Sequence, residues 1–293
     1  MGAALPALLV EAVFYVGAGF EGTRQWFGRI SSARTKGTLL WASALLPYCI
    51  FSLSAGTFLG KGFEILALLT GVFAFWYVVM PRRAAYDIGF LVIAAAPIIC
   101  RVFPRIYRSP DNHIRGMDIL GHLMWIRLGI TALLVLREWD PGAFGFWPRR
   151  REWRLGFLYF LVGAAPIIGL ALALDDVHFE PLQGPWWRIG GIGAGVFFGT
   201  LWVVAFGEEL FFRGVIERAL LKRWRSPVLA VGISAVLFGS AHLWFHEFPN
   251  WRRAVVVVVL GLVCGVAYWR SGSVRTSMVT HAFVVATWRL FFK

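Results

Sequence analysis

Apolar runs of membrane-crossing length recur along the whole chain, and they constrain its fold more than any motif does. The first, ALPALLVEAVFYVGAGF (4–20), is followed by 38–58, 65–80, 88–100, 119–136, 155–174, 189–208, 228–245, 254–269 and 276–292. A helix needs roughly 20 apolar residues to cross the hydrocarbon of a bilayer. A segment in that medium must also satisfy its own backbone hydrogen bonds, which an isolated helix does and an isolated strand does not. The expected architecture is therefore all-α, a polytopic transmembrane helical bundle of about eight to ten spans. Composition points the same way, with 58% hydrophobic and 15% charged residues against about a quarter charged in a soluble domain. The run 88–100 is the weakest and reads equally as a re-entrant segment. The β-branched stretch Val255 to Val259 reads as helix, because it lies inside an apolar span.

The net charge of +13 would suggest nucleic acid in a soluble protein. Here the arginines fall mostly in short loops, where Lys/Arg bias sets topology, so no nucleic-acid partner is expected and the partner is the lipid bilayer. Placing 22–37, 81–87, 137–154, 209–227 and 270–275 on the cytoplasmic side puts well over half of the 29 Lys and Arg there; 101–118, with four arginines, is the exception. Met1-Gly2 is followed by Pro6 rather than Ser or Thr, so the myristoylation pattern fails. Segment 4–20 has no basic region before it and reads as a retained span. Cys49, Cys100 and Cys264 show no metal-type spacing and read as small packing residues. The expected location is a bacterial plasma membrane, as a multi-pass protein.

The basic loop 137–154 divides the chain into 1–136, N-terminal helices of unknown role, and a core at 137–293. Polar residues within spans are sparse before it (Glu11, His122, Arg127) and clustered after it. An ionisable group in the hydrocarbon needs a partner or a task. In AFGEELFFRG, Glu209 and Arg213 are four apart on one helix face, acid before base, the orientation that favours pairing. Glu208 is turned about 100° away and has no such partner. The alternative is that both acids sit at the membrane interface, at the end of span 189–208. His242, in FGSAH after Phe238, and His281, in TSMVTHAF, are each single histidines within spans. His242 and His246 are four apart, but there is no HExxH run and no evident third ligand. No metal or other cofactor is expected. The run Gly190 to Gly195 is read as permitting close helix approach.

Glu208-Glu209-x-x-x-Arg213, then Phe238-x-x-x-His242, then His281 in the last span, resemble in their order and spacing the CPBP family. That family includes type II CAAX prenyl endopeptidases and bacteriocin-processing and immunity proteins. FGFWPRRREWRLGF is similar to the family's lead-in and GLVCGVAYWRSGSVRTSMVTHA to its final hairpin, so the resemblance covers roughly 140–293. It implies a glutamate-dependent intramembrane endopeptidase acting on a peptide or protein substrate, lipidated or not, near the cytoplasmic face. By the same resemblance Glu208 and His242 activate a water, Glu209 and Arg213 support the helix, and His281 donates to the oxyanion. The family carries asparagine four residues after the last histidine, where this chain has Val285. One oxyanion donor is missing, with Ser277 one turn before His281 as a candidate substitute. Two other readings stay open: a non-catalytic protein on the same fold, of immunity or scaffold type, and a transporter or metal site using His242, His246 and His122 or Glu11.

Overall fold

The computed structural model describes residues 4–107, 116–244 and 248–293. Met1 and Gly2, His246 and Glu247, and part of the arginine-bearing loop 101–118 lie outside the described residues. No strand occurs among the described residues, and the only backbone bridges between extended positions there, Ala143 with Ser273 and Phe179 with Phe292, are isolated. The chain is an all-α polytopic helical protein. It divides into two compact units, Met1–Trp139 and Asp140–Lys293.

The first unit consists of α1 (Ala4–Gly19), α2 (Glu21–Gly28), α3 (Ala33–Ser54), α4 (Gly60–Val79), α5 (Ala84–Ile99), the short α6 (Val102–Ile106) and α7 (Ile119–Thr131), whose last turns continue as a π-helix to Leu136. The second consists of α8 (Arg150–Ala173), α9 (Trp186–Trp224), α10 (Pro227–Ala241, with a further 3-10 turn His242–Trp244), α11 (Trp251–Ser271) and α12 (Val274–Phe291). Among the described residues, seven helices are long and apolar enough to cross a membrane, or eight if α1 and α2, bent by 88°, count as one broken span. The 16-residue α5 is too short for that set. The last expected span, at α12, is a helix, but Arg275, Thr276, Ser277, Thr280, His281 and Arg289 keep it out of the set. The five-valine run of α11 is helical throughout.

The largest departure from the sequence reading is α9. Instead of a span ending at 208 and a loop over 209–227, helix runs unbroken for 39 residues to Trp224. The two glutamates therefore lie within a continuous helix rather than at its end. The physical reason is that Glu209, Arg213 and Glu217 are each fully buried. Glu209 and Arg213 find partners on their own helix and on neighbouring ones, so nothing forces the helix to stop where the acids begin.

Within the second unit α10 lies directly on α11. A Cβ on Gly239 would meet Val258 at 2.4 Å, and one on Gly261 would meet the Ala235 backbone at 2.9 Å. The two backbones touch in a way only glycine permits, the small-residue packing of membrane helices. The glycine run in α9 does not act that way. A Cβ on Gly193 would meet Leu290, but one on Gly190, Gly191 or Gly195 would have nothing within 4 Å, because that stripe faces outward. The lead-in and the final hairpin are joined at Glu152, which accepts hydrogen bonds from Ser273 Oγ (2.6 Å) and Arg275 Nη2 (2.9 Å). Of the three cysteines, Cys264 is buried, Cys49 half-buried and Cys100 exposed, so the packing reading holds for the first and fails for the last.

Candidate active site

The site is built on the middle of α9. One five-residue α segment, Ala205–Glu209, is held between two π-helical stretches, Thr200–Val204 and Leu210–Glu217. Insertions of this kind cost hydrogen-bond geometry and recur at functional sites, where they re-aim side chains. Glu208 and Glu209 are the last two residues of that segment.

Glu209 and Arg213 are both fully buried, with Nε 3.2 Å from Oε2. The guanidinium lies over the Phe238 ring, 4.4 Å from its centroid, and Nη2 donates to the Gly261 carbonyl at 3.2 Å. The pair is thus fixed by α10 and α11 as well as by its own helix. Its geometry is still incomplete: Glu209 Oε2 and Arg213 Nε and Nη1 make no hydrogen bond, the 3.2 Å approach being electrostatic rather than aligned.

The other oxygen of Glu209 is committed across the unit. His281 Nδ1 lies 2.8 Å from Glu209 Oε1, and its Nε2 lies 4.0 Å from Glu208 Oε2. His281 is almost completely buried, whereas a third of the Glu208 side chain is exposed. The sequence assigns Glu209 to support with Arg213 alone; the structure gives it His281 as a second partner. That contact fixes the imidazole. An ionised carboxylate accepts only, so Nδ1 must carry the proton, and Nε2 is left facing Glu208. Glu208 Oε2 itself is buried and makes no hydrogen bond. A 4.0 Å gap between polar atoms is the distance that one bridging water spans.

His242 follows the last α turn of α10, half-buried, with Nδ1 2.9 Å from the Phe238 carbonyl. A carbonyl accepts only, so this ring too carries its proton on Nδ1, with Nε2 as the acceptor when neutral. Phe238 links the two histidines: its ring meets His242 edge-on at 4.9 Å and His281 at 5.9 Å. The structure therefore gathers Glu208, Glu209, Arg213, Phe238 and His281 around one point of α9, with His242 reached through the Phe238 ring. Val285 is half-buried, one turn beyond His281. Ser277 Oγ donates to the Val274 carbonyl at 2.8 Å and also neighbours the Glu209 carboxyl, so its hydroxyl proton is already committed within the protein.

Sequence reasoning misses Glu217. It is fully buried, and neither of its oxygens makes a hydrogen bond. Its spacing is the available signal, since 209, 213 and 217 step by four along one face. His122, named for a metal site, has Nδ1 2.8 Å from the Asp118 carbonyl, and Glu11 is paired with Arg127. Among the described residues no group of three or more His, Cys, Asp or Glu is placed to hold a metal. His246 is not among those residues.

No curated protein and no solved structure matches the chain. Residues 190–287 match the family model described as type II CAAX prenyl endopeptidase Rce1-like. That segment is a third of the chain and contains Glu208, Glu209, Arg213, Phe238, His242 and His281, so the part of this multi-pass membrane protein that carries the candidate site is similar to the CAAX protease family.

Proposed function

We propose that the chain is an intramembrane, glutamate-dependent endopeptidase of CAAX-processing type. The observation that carries this reading is the His281 bridge, with Nδ1 on the buried Glu209 and Nε2 facing a Glu208 oxygen that has no hydrogen bond. In this reading Glu208 is the general base. It takes a proton from water while His242 Nε2 accepts the water's second hydrogen bond and orients it. The water oxygen bonds to the scissile carbonyl carbon. The oxyanion that forms is met by His281 as an imidazolium, which is the only form able to donate from Nε2 while Nδ1 stays on Glu209. Collapse of the tetrahedral intermediate breaks the C–N bond, and the proton on Glu208 passes to the leaving amine.

Arg213 and Glu209 hold His281 in place, and residues 137–293 form the protease core. The substrate is a peptide or protein segment reached from the membrane, lipidated or not, and the site belongs to a bacterial plasma membrane. Candidate peptides, prenylated and unmodified, incubated with purified protein in detergent should be cleaved by wild type and left intact by Glu208→Gln and His242→Ala. Equal turnover by all three proteins removes the reading.

Val285 supports a second reading, a non-catalytic protein on the same scaffold. A valine occupies the position where the family has its second oxyanion donor, and no turnover of any peptide by wild type would favour it. Restoring the amide with Val285→Asn separates the two, since a peptidase limited by one missing donor should speed up by roughly 100-fold.

A further inference from the structure

The proposed chemistry uses two of three ionisable groups that share one face of α9. Glu209, Arg213 and Glu217 follow one another at four-residue steps, each with no exposed surface. They run acid, base, acid along the face, so one guanidinium lies in sequence between two carboxyl groups. α11 is shaped to receive the third member. A Cβ on Gly265 would lie 2.8 Å from Glu217 Oε2, so the absence of a side chain there is what admits the carboxyl. One turn earlier on the same face, Gly261 offers its carbonyl to Arg213 Nη2. Cys264 and Tyr268 are the titratable groups of α11 on which Glu217 acts electrostatically.

The hydrogen bonding of the two residues is incomplete in a complementary way. Glu217 Oε1 and Oε2 have no partner, and neither do Arg213 Nε and Nη1. A buried carboxylate left unpaired is costly, and here two unpaired acceptors sit one helical turn from two unpaired donors. Arg213 already acts electrostatically on Glu217, and any turn of the guanidinium toward that carboxyl comes at the expense of Glu209.

We infer that Glu217 is a positioning residue for the site: it shares Arg213 with Glu209 and thereby sets how much of the Glu209 charge is left to hold His281. When Arg213 leans to Glu217, Glu209 keeps more negative charge for the imidazolium. With Glu217 gone, Arg213 neutralises Glu209 more fully and His281 is held less firmly in its cationic form. This consequence rests on the peptidase reading, but the sharing of Arg213 does not.

The test is a double-variant cycle on the purified full chain in detergent, with Glu209→Gln, Glu217→Gln and the two combined, read first by thermal unfolding. In the wild-type background Glu217→Gln should leave the melting temperature unchanged or raise it, because a carboxylate without hydrogen bonds is replaced by a neutral group of the same shape. In the Glu209→Gln background the same change should lower it by about 4 °C or more, because Arg213 then has no carboxylate left. The second readout is turnover. Glu217→Gln should lower kcat about tenfold, in the range seen when an outer partner of a catalytic group is lost. KM should stay within about twofold, and Glu217→Asp should recover part of the loss. Melting shifts that add within error, or kcat unchanged in Glu217→Gln, overturn the inference. If wild type cleaves nothing, the unfolding cycle still decides whether Arg213 is shared, and the failure counts against the peptidase reading instead.

Discussion

Each unit of the chain buries one arginine against one glutamate, and the two pairs are built differently. In the N-terminal unit Arg127 holds Glu11 bidentately, Nε to Oε1 at 2.7 Å and Nη2 to Oε2 at 3.1 Å. Its remaining donors go to Ser43, Nη1 to Oγ at 2.9 Å and Nη2 to the carbonyl at 2.7 Å, and Phe14 lies under the guanidinium. Neither Glu11 nor Arg127 has a buried atom without a hydrogen bond. The pair ties α1, α3 and α7 together, with every nitrogen of the guanidinium and both carboxylate oxygens engaged. In the second unit Arg213 and Glu209 approach without aligned hydrogen bonds, a histidine takes one carboxylate oxygen, and a second buried glutamate follows one turn after the arginine. A closed network rigidifies, because every buried polar atom is matched. An open one leaves charge to be shared, which is the condition for shifting protons. The same two residue types thus form a closed fastener in one unit and part of the proposed site in the other.

That contrast can be broken most directly at Glu208. Glu208→Gln should reduce peptide turnover by about 10²- to 10⁴-fold, the contribution of a general base. The melting temperature should hold, because the Oε2 atom nearest His281 has no hydrogen bond to lose. A variant that loses both activity and fold would mean that Glu208 is a fastener as well. Arg127→Met should have the opposite profile, lowering stability by about 3–5 kcal/mol by stranding Glu11 in the interior. The double replacement Glu11→Leu with Arg127→Met should unfold closer to wild type than either single change, since removing both charges removes the stranded one. Thermal unfolding of the three proteins checks this, and a double variant as unstable as the singles would contradict it.

His281→Ala falls between the two cases. It removes the proposed oxyanion donor, for roughly 100- to 1000-fold in kcat, and it also strips Glu209 of its aligned hydrogen bond to the imidazole, for about 1–3 kcal/mol of stability. Kinetics and unfolding on the same preparation separate the two effects. The smallest expected effect lies outside the membrane-spanning helices, at Asp140. The backbone N–H of Gly142, and then Arg218, hold its carboxyl below the ordinary value of 3.8. A depressed folded-state value contributes stability above the unfolded value, lost as pH falls through the folded one. Asp140→Asn should therefore cost less than about 1 kcal/mol at neutral pH, because the pair is solvent-screened. The gap to wild type should close as pH falls below 3.8. A gap that persists in acid would assign the loss to the turn geometry rather than to charge.

Much of this molecule is legible in its sequence, and the places where the sequence misleads share a cause. The spans can be read because length and apolarity alone decide whether a helix can sit in hydrocarbon. Glu208, Glu209, Arg213, Phe238, His242 and His281 stand out because an ionisable group or a spaced motif is conspicuous against that background. The end of α9 misleads because Glu-Glu-x-x-x-Arg looks like the end of a span when its partners are unseen. The glycine run at 190–195 misleads because small residues permit close packing without saying which face packs. Glu217 escapes notice because an acid near a basic stretch looks solvated until α11 is seen to cover it.

A helical membrane protein with its ionisable motif residues gathered in the second half follows from the order of residues, since solvent preference is a property of each segment alone. That Glu209 serves His281 across 72 residues, that Arg213 stands between two carboxylates, and that one arginine pair is closed while the other is left open follow only from the packed helices. Those facts depend on which helices meet and how closely. A buried charge is settled by its neighbours in space, and sequence spacing reports only the neighbours on its own helix.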